Sequence, residues 1–204
     1  MAAPPEPAAT QVVDARFCAP EATAFAVTKI ISVTGRDFTV TDVTGAAVMQ
    51  VEAAVFAFQR RSLLLDGAAR RPVLTMRDSG LFMSTRWEVF RGDSTSGRNL
   101  LFTVVRSSAF QVRTKIYVFL AGNASEQAPD FVIRGSYYDG ACTVCTGNSD
   151  AAIAQASSIF ITRQNTAGGA LLGRHTYTAR INPGVDRAFI LALTVILDEM
   201  HHHR

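Results

Sequence analysis

Cysteine is scarce in this chain, with three in 204 residues, at positions 18, 142 and 145. An odd and small number argues against the disulfide framework of a secreted domain and fits a reducing, cytoplasmic compartment. A single domain of this length buries enough apolar surface to fold without covalent staples. Also missing is a stretch of about 20 apolar residues, the length a membrane-spanning helix needs, so no transmembrane span is expected. The opening MAAPPEPAAT has no basic start followed by an apolar core and does not read as a secretory signal. Residues 1–20 are expected to form a disordered lead. The sequon Asn123-Ala124-Ser125 then stays unused, and Arg91-Gly92-Asp93-Ser94 is expected to be a turn. Charged residues make up only 18%, but hydrophobic residues make up 48%, which excludes intrinsic disorder.

Catalytic residue sets are missing too. Three of the four His close the chain at His201, His202 and His203, which leaves His175 as the internal one. With His175 in an expected loop and no G-x-S-x-G elbow, no hydrolase triad can be assembled. The glycines of TAGGALLG lack a phosphate-loop lysine and the dinucleotide spacing. Cys142 and Cys145 form C-x-x-C and, with the terminal His, could supply four zinc ligands. Residues three apart on a strand face opposite sides, however, so a zinc site is not expected. The chain is read as non-enzymatic, with no catalytic residue, cofactor or metal.

What is present is alternation. From residue 24 onward, short segments of period two are punctuated by turn residues, as in FAVTKIISVT, FTVTDVTGAAVMQVEA around Thr44-Gly45, and SLLLDGAARRPVLTMR around Asp66-Gly67. About a dozen such strands predict an all-β sandwich or barrel. Residues 38–53 and 142–157 share a strand–turn–strand outline, which suggests two similar β halves in one domain. Trp87, Phe102, Phe119, Phe131 and Phe160 are expected to pack the wall or interior. Asp37, Asp42 and Asp66 fall at strand ends or turns, where Asp serves backbone geometry.

One segment breaks the pattern. GVDRAFILALTVILDEM, residues 184–200, has no breaker after Gly184 and almost no polar face. A helix apolar all round is either a core helix or a membrane span. Asp186 and Arg187 at one end and Asp198 and Glu199 at the other cut the apolar part to about ten residues, half of a span. A helix over 184–199 buried on every side needs a surrounding wall, and a closed sheet of about twelve strands supplies one. Asn182 or Asp186 is expected near its start. Residues 201–204 are expected as a frayed tail.

The net charge of +3 is uneven. Residues 60–115 hold eleven basic and four acidic side chains, a net +7. Arg60, Arg61, Arg70, Arg71 and Arg77 are the candidate contacts for an anionic partner such as lipid headgroups. The other reading is that these are outward positions of alternating strands, merely solvated. The segment lacks an RNA-binding aromatic motif or recognition helix, so nucleic acid is not the expected partner.

Several segments together resemble the plant LURP-one-related family: FTVTDVTG, RWEVFRGDS, LFTVVRSS, YVFLAGN, FVIRGSYYDGACTV and INPGVDRAFILALTVILDEM, in the family's order over residues 20 to 200. The resemblance implies one domain over residues 21–200 with the tubby C-terminal-like fold, a closed β-barrel of about twelve strands round a hydrophobic C-terminal helix, related to phospholipid scramblases. It implies a monomeric, non-catalytic component of plant defence signalling. Two modes of action follow, a peripheral module on anionic or phosphoinositide lipid at the plasma membrane, or a scaffold binding a protein. The stretch RDSGLFMST departs from the family, whose members often carry Lys and Arg there, and the scramblases' acidic calcium segment and Cys-rich tract have no counterpart.

Overall fold

A computed structural model describes residues 10–54, 59–80, 86–106, 115–136, 141–147, 159–164 and 176–201. The described residues form twelve strands: β1 (Thr23–Lys29), β2 (Phe38–Thr41), β3 (Ala47–Ala53), β4 (Arg61–Asp66), β5 (Pro72–Asp78), β6 (Arg86–Arg91), β7 (Leu100–Arg106), β8 (Ile116–Leu120), β9 (Phe131–Ser136), β10 (Ala141–Thr146), β11 (Ile159–Gln164) and β12 (Thr176–Ile181). One α-helix, α1 (Arg187–His201), follows them. The described residues are all-β with a single C-terminal helix.

Each strand pairs antiparallel with the next, and β12 pairs with β1 from Thr23↔Ile181 to Thr28↔Thr176, so the ladder returns to its first strand as a closed barrel. Alternation decides what fills it. Phe25 and Val27, Phe38 and Val40, Leu74 and Met76, and Phe102 and Val104 are buried at every second position, as expected where one face of a strand meets a core. The turns form where the sequence places them. Gly45 has φ +84°, and at Gly67 a Cβ would lie 2.7 Å from the Val48 backbone, which leaves room only for glycine.

Helix α1 fills the interior. Every residue from Ala188 to Met200 is buried, and the Phe189 ring sits 5.0 Å from those of Phe102 and Phe131. Fully burying a Leu, Ile or Phe stabilises by about 1.5–3 kcal/mol, so this helix is core. Two bounds differ from expectation. The helix begins at Arg187, not Gly184, because Asp186 is its cap: Oδ1 accepts N–H bonds from Ala188 (3.0 Å) and Phe189 (3.2 Å). It continues past Glu199 to His201, because its last acidic residues are enclosed with the rest. Trp87 is 1% exposed, an interior side chain as expected.

The expected lead over 1–20 is corrected for residues 10–20. Val13 and Phe17 are in the core cluster, and a 3₁₀ turn covers Ala15–Phe17. Asp186 explains this. Its Oδ2 accepts backbone N–H bonds from Val12 (3.3 Å), Val13 (2.7 Å) and Asp14 (3.1 Å). Thr10 and Cys18 also bridge to Val185 and Asp186. Residues 1–9 lie outside the described residues, as do His175, the terminal His202 and His203, and most of the second half of the 142–157 echo.

Candidate functional site

On five strands the inward alternation runs one step beyond the apolar residues to a charged one, always at the end of the barrel where α1 finishes. Phe25 and Val27 lead to Lys29; Leu74 and Met76 lead to Asp78; Phe102 and Val104 lead to Arg106. Arg36 precedes Phe38 and Arg60 precedes Ser62 with the same spacing. Lys29, Arg36 and Arg60 among them approach Asp198 and Glu199, which are 0% and 2% exposed. Lys29 Nζ lies 2.7 Å from Asp198 Oδ2, and Tyr177 donates its hydroxyl to Asp198 Oδ1. Arg36 and Arg60 approach Glu199 Oε2 at 3.8 and 3.9 Å, and Arg60 also pairs with Asp78 at 2.7 Å. Arg106 donates to the Met200 carbonyl at 3.4 Å. Cations here meet the negative end of the helix dipole, and they compensate carboxylates that burial alone would make costly. Burial raises the Glu199 pKa, Arg36 opposes the rise, and Asp198 adds to it.

The five candidate arginines do not converge. Arg60 belongs to the charged plug just described and sits 6.0 Å from the Trp87 ring. Arg61 and Arg77 are register partners on β4 and β5. Arg61 pairs with Asp93, while Arg77 binds Glu88 and stacks 4.9 Å from Phe90. Arg70 and Arg71 lie in the β4–β5 turn at the opposite end, about 17 Å away along a strand rising ~3.4 Å per residue. Arg70, at φ 49°, binds Gln50 and Glu52. Arg71 is exposed. Most of the basic surplus of this hairpin is therefore matched by carboxylates.

The charged end also carries an exposed apolar loop; among the described residues the other exposed large apolar side chain is Val43, 81% exposed in the β2–β3 turn. Between β1 and β2, Ile30 is 39% exposed, Ile31 69% and Val33 93%. The loop is held at both ends, since Ile30 N–H bonds to the Asp37 carbonyl (2.9 Å) and Asp37 Oδ1 accepts from Ala53 N–H (2.8 Å). Arg36 donates to the Ala54 carbonyl at 3.3 Å. The apolar tip is thus presented by a fixed base.

A family model described as LURP-one-related matches residues 22–198. The chain belongs to the LURP-one-related family. It is similar to Protein LURP-one-related 15 of Arabidopsis thaliana, with 40% identity over 98% of this chain and 89% of that protein. It is also similar to Protein LURP1 of the same plant, at 35% identity over 93% and 89%. An X-ray structure of an Arabidopsis thaliana protein matches with a TM-score of 0.70 and 32% identity, over 93% of this chain and 98% of the other. The LURP-one-related family is not a known enzyme family. Among the described residues no three His, Cys, Asp or Glu are grouped to hold a metal, and no helix is long and apolar enough to cross a membrane. Cys142 is buried on the inward face and Cys145, three residues on, is not.

Sequence reasoning missed the charged plug. Asp198 and Glu199 read as the polar end of an apolar run. The signal was available, because Lys29 shares the alternation of Phe25 and Val27, and Asp78 that of Leu74 and Met76.

Proposed function

We propose that this LURP-one-related protein is a non-catalytic binding module of plant defence signalling, with the tubby C-terminal-like barrel as scaffold, that docks peripherally on anionic or phosphoinositide-bearing lipid. The β1–β2 loop leads the contact. The observation that carries this reading is Ile31 and Val33 standing 69% and 93% exposed on an anchored loop at the barrel's charged end. Apolar side chains held in water by a fixed base mark a membrane or protein contact. Of the five arginines, Arg60 lies at this end within the plug, Arg61 and Arg77 line the outer wall, and Arg70 and Arg71 face away. Binding by apolar insertion resists salt, whereas binding by arginines alone falls steeply with it.

The test is cosedimentation with neutral, phosphatidylserine and phosphoinositide vesicles at low and near-physiological salt. Retained binding at the higher salt, selective for the charged vesicles, supports the reading. Binding to none of them contradicts it. A second reading, a scaffold that binds a protein, is favoured by the ion pairing of Arg60, Arg61, Arg70 and Arg77, which leaves little free charge for lipid. Capture of a defined plant protein that survives high salt and is lost on Val33→Ser, without vesicle binding, selects that reading.

A further inference from the structure

At the opposite end, where α1 begins, the wall opens on a cavity of about 290 Å³. Phe17, Phe25, Met49 and Leu191 supply its apolar lining, and Asp66 and Arg187 reach it. Arg187 is placed against its electrostatic preference, because a cation on the first residue of a helix faces the positive end of the dipole. Asp186 beside it already engages both carboxylate oxygens with five backbone N–H groups. The Arg187 guanidinium lies 5.9 Å from the Phe17 ring, and its Nε is buried without an acceptor. Among the described residues the Arg187 side chain has no hydrogen bond or ion pair. Buried donors are ordinarily satisfied, and a guanidinium matches a carboxylate through two parallel bonds. Asp66 is committed differently, with Oδ1 accepting from Ala68 (3.0 Å) and Ala69 (3.2 Å).

We propose that this cavity is a binding site for a small amphipathic monocarboxylate, with the carboxylate on Arg187 and the apolar body among Phe17, Phe25, Met49 and Leu191. The volume sits at the lower edge of the ~300–1,000 Å³ typical of ligand pockets, which suits a small acid and excludes a two-chain lipid. The Asp66 carboxylate on the same wall disfavours multiply charged anions. The site is separate from the β1–β2 loop and does not depend on how that loop is used.

Isothermal titration of the full chain with octanoate and 4-phenylbutyrate, each against its primary amide, tests the proposal. At least one acid should bind, and its amide should bind at least ~tenfold more weakly, the lower range for a hydrogen bond to a charged group. Arg187→Gln should lose a similar factor, and Ala68→Phe should lose binding by filling the exposed mouth. Arg71→Gln, on the neighbouring turn, should bind as the parent does. No binding of either acid, equal binding of acid and amide, or equal losses in Arg187→Gln and Arg71→Gln would overturn it. Thermal melting checks folding. Should Arg187→Gln melt early, undiminished acid binding by a folded Ala68→Phe would also overturn it.

Discussion

The two ends of α1 each bury a carboxylate, but they satisfy it by different means. At the start, Asp186 is held by main-chain N–H groups from two segments, a set that neither titrates nor depends on side-chain choice. At the finish, Asp198 and Glu199 are held by Lys29, Tyr177, Arg36 and Arg60, whose positions follow from strand alternation. The first arrangement fastens residues 10–20 to the helix and closes that end with chain. The second closes its end with side-chain charge and leaves the neighbouring loop free to project Ile31 and Val33. A buried acid therefore reports on what surrounds it, and here it separates an end held by main chain from an end held by side-chain charge.

Leu193→Asp should erase the comparison by unfolding the protein, since it places a charge without a partner among the helix's fully buried residues. Loss of the cooperative transition in circular dichroism is the expected result, and a soluble, cooperatively folding variant would refute the core helix. Asp186→Ala breaks only the start. Losing a helix cap and orphaning buried donors should cost about 3 kcal/mol or more by chemical denaturation, with faster amide exchange at Val13 and Phe189. Lys29→Met breaks the finish by leaving Asp198 without its cation, at about 2–3 kcal/mol, below the full range for a buried pair because Tyr177 still donates to Asp198.

The smallest effect sharpens the contrast. The folded pKa of Glu199 is raised, chiefly by burial. Below its unfolded value the group is neutral in both states and nothing is lost. As pH rises from the ordinary glutamate range through the raised folded value, the unfolded chain ionises first and the folded protein loses stability. Glu199→Gln should therefore gain on the parent across that window and match it below. Denaturation curves from pH 4 to 8 that diverge the other way would contradict this assignment.

Much of this fold was legible from periodicity. The strands, the Gly45 and Gly67 turns and the enclosed helix all follow from local spacing and local breakers. Arg187 to Met200 could be recognised as core because a ten-residue apolar stretch is too short to span a bilayer. Residues 10–20 were misread because what orders them is Asp186, more than 170 residues away, and the Pro-rich, small residues that precede them give no local sign of it. The plug was misread because charge was taken as a sign of exposure. The arginines of the β4–β5 hairpin counted as free charge in sequence, while their acids, Glu52, Asp93 and Glu88, lie on other elements.

The most direct test of the proposed contact is vesicle cosedimentation at near-physiological salt with the parent, the pair Ile31→Ser and Val33→Ser, and the pair Arg70→Glu and Arg71→Glu. The account predicts that the loop pair loses binding to phosphoinositide vesicles while the turn pair, at the far end, retains it. Loss in the turn pair with the loop pair unaffected would place the contact at the wrong end and contradict the account.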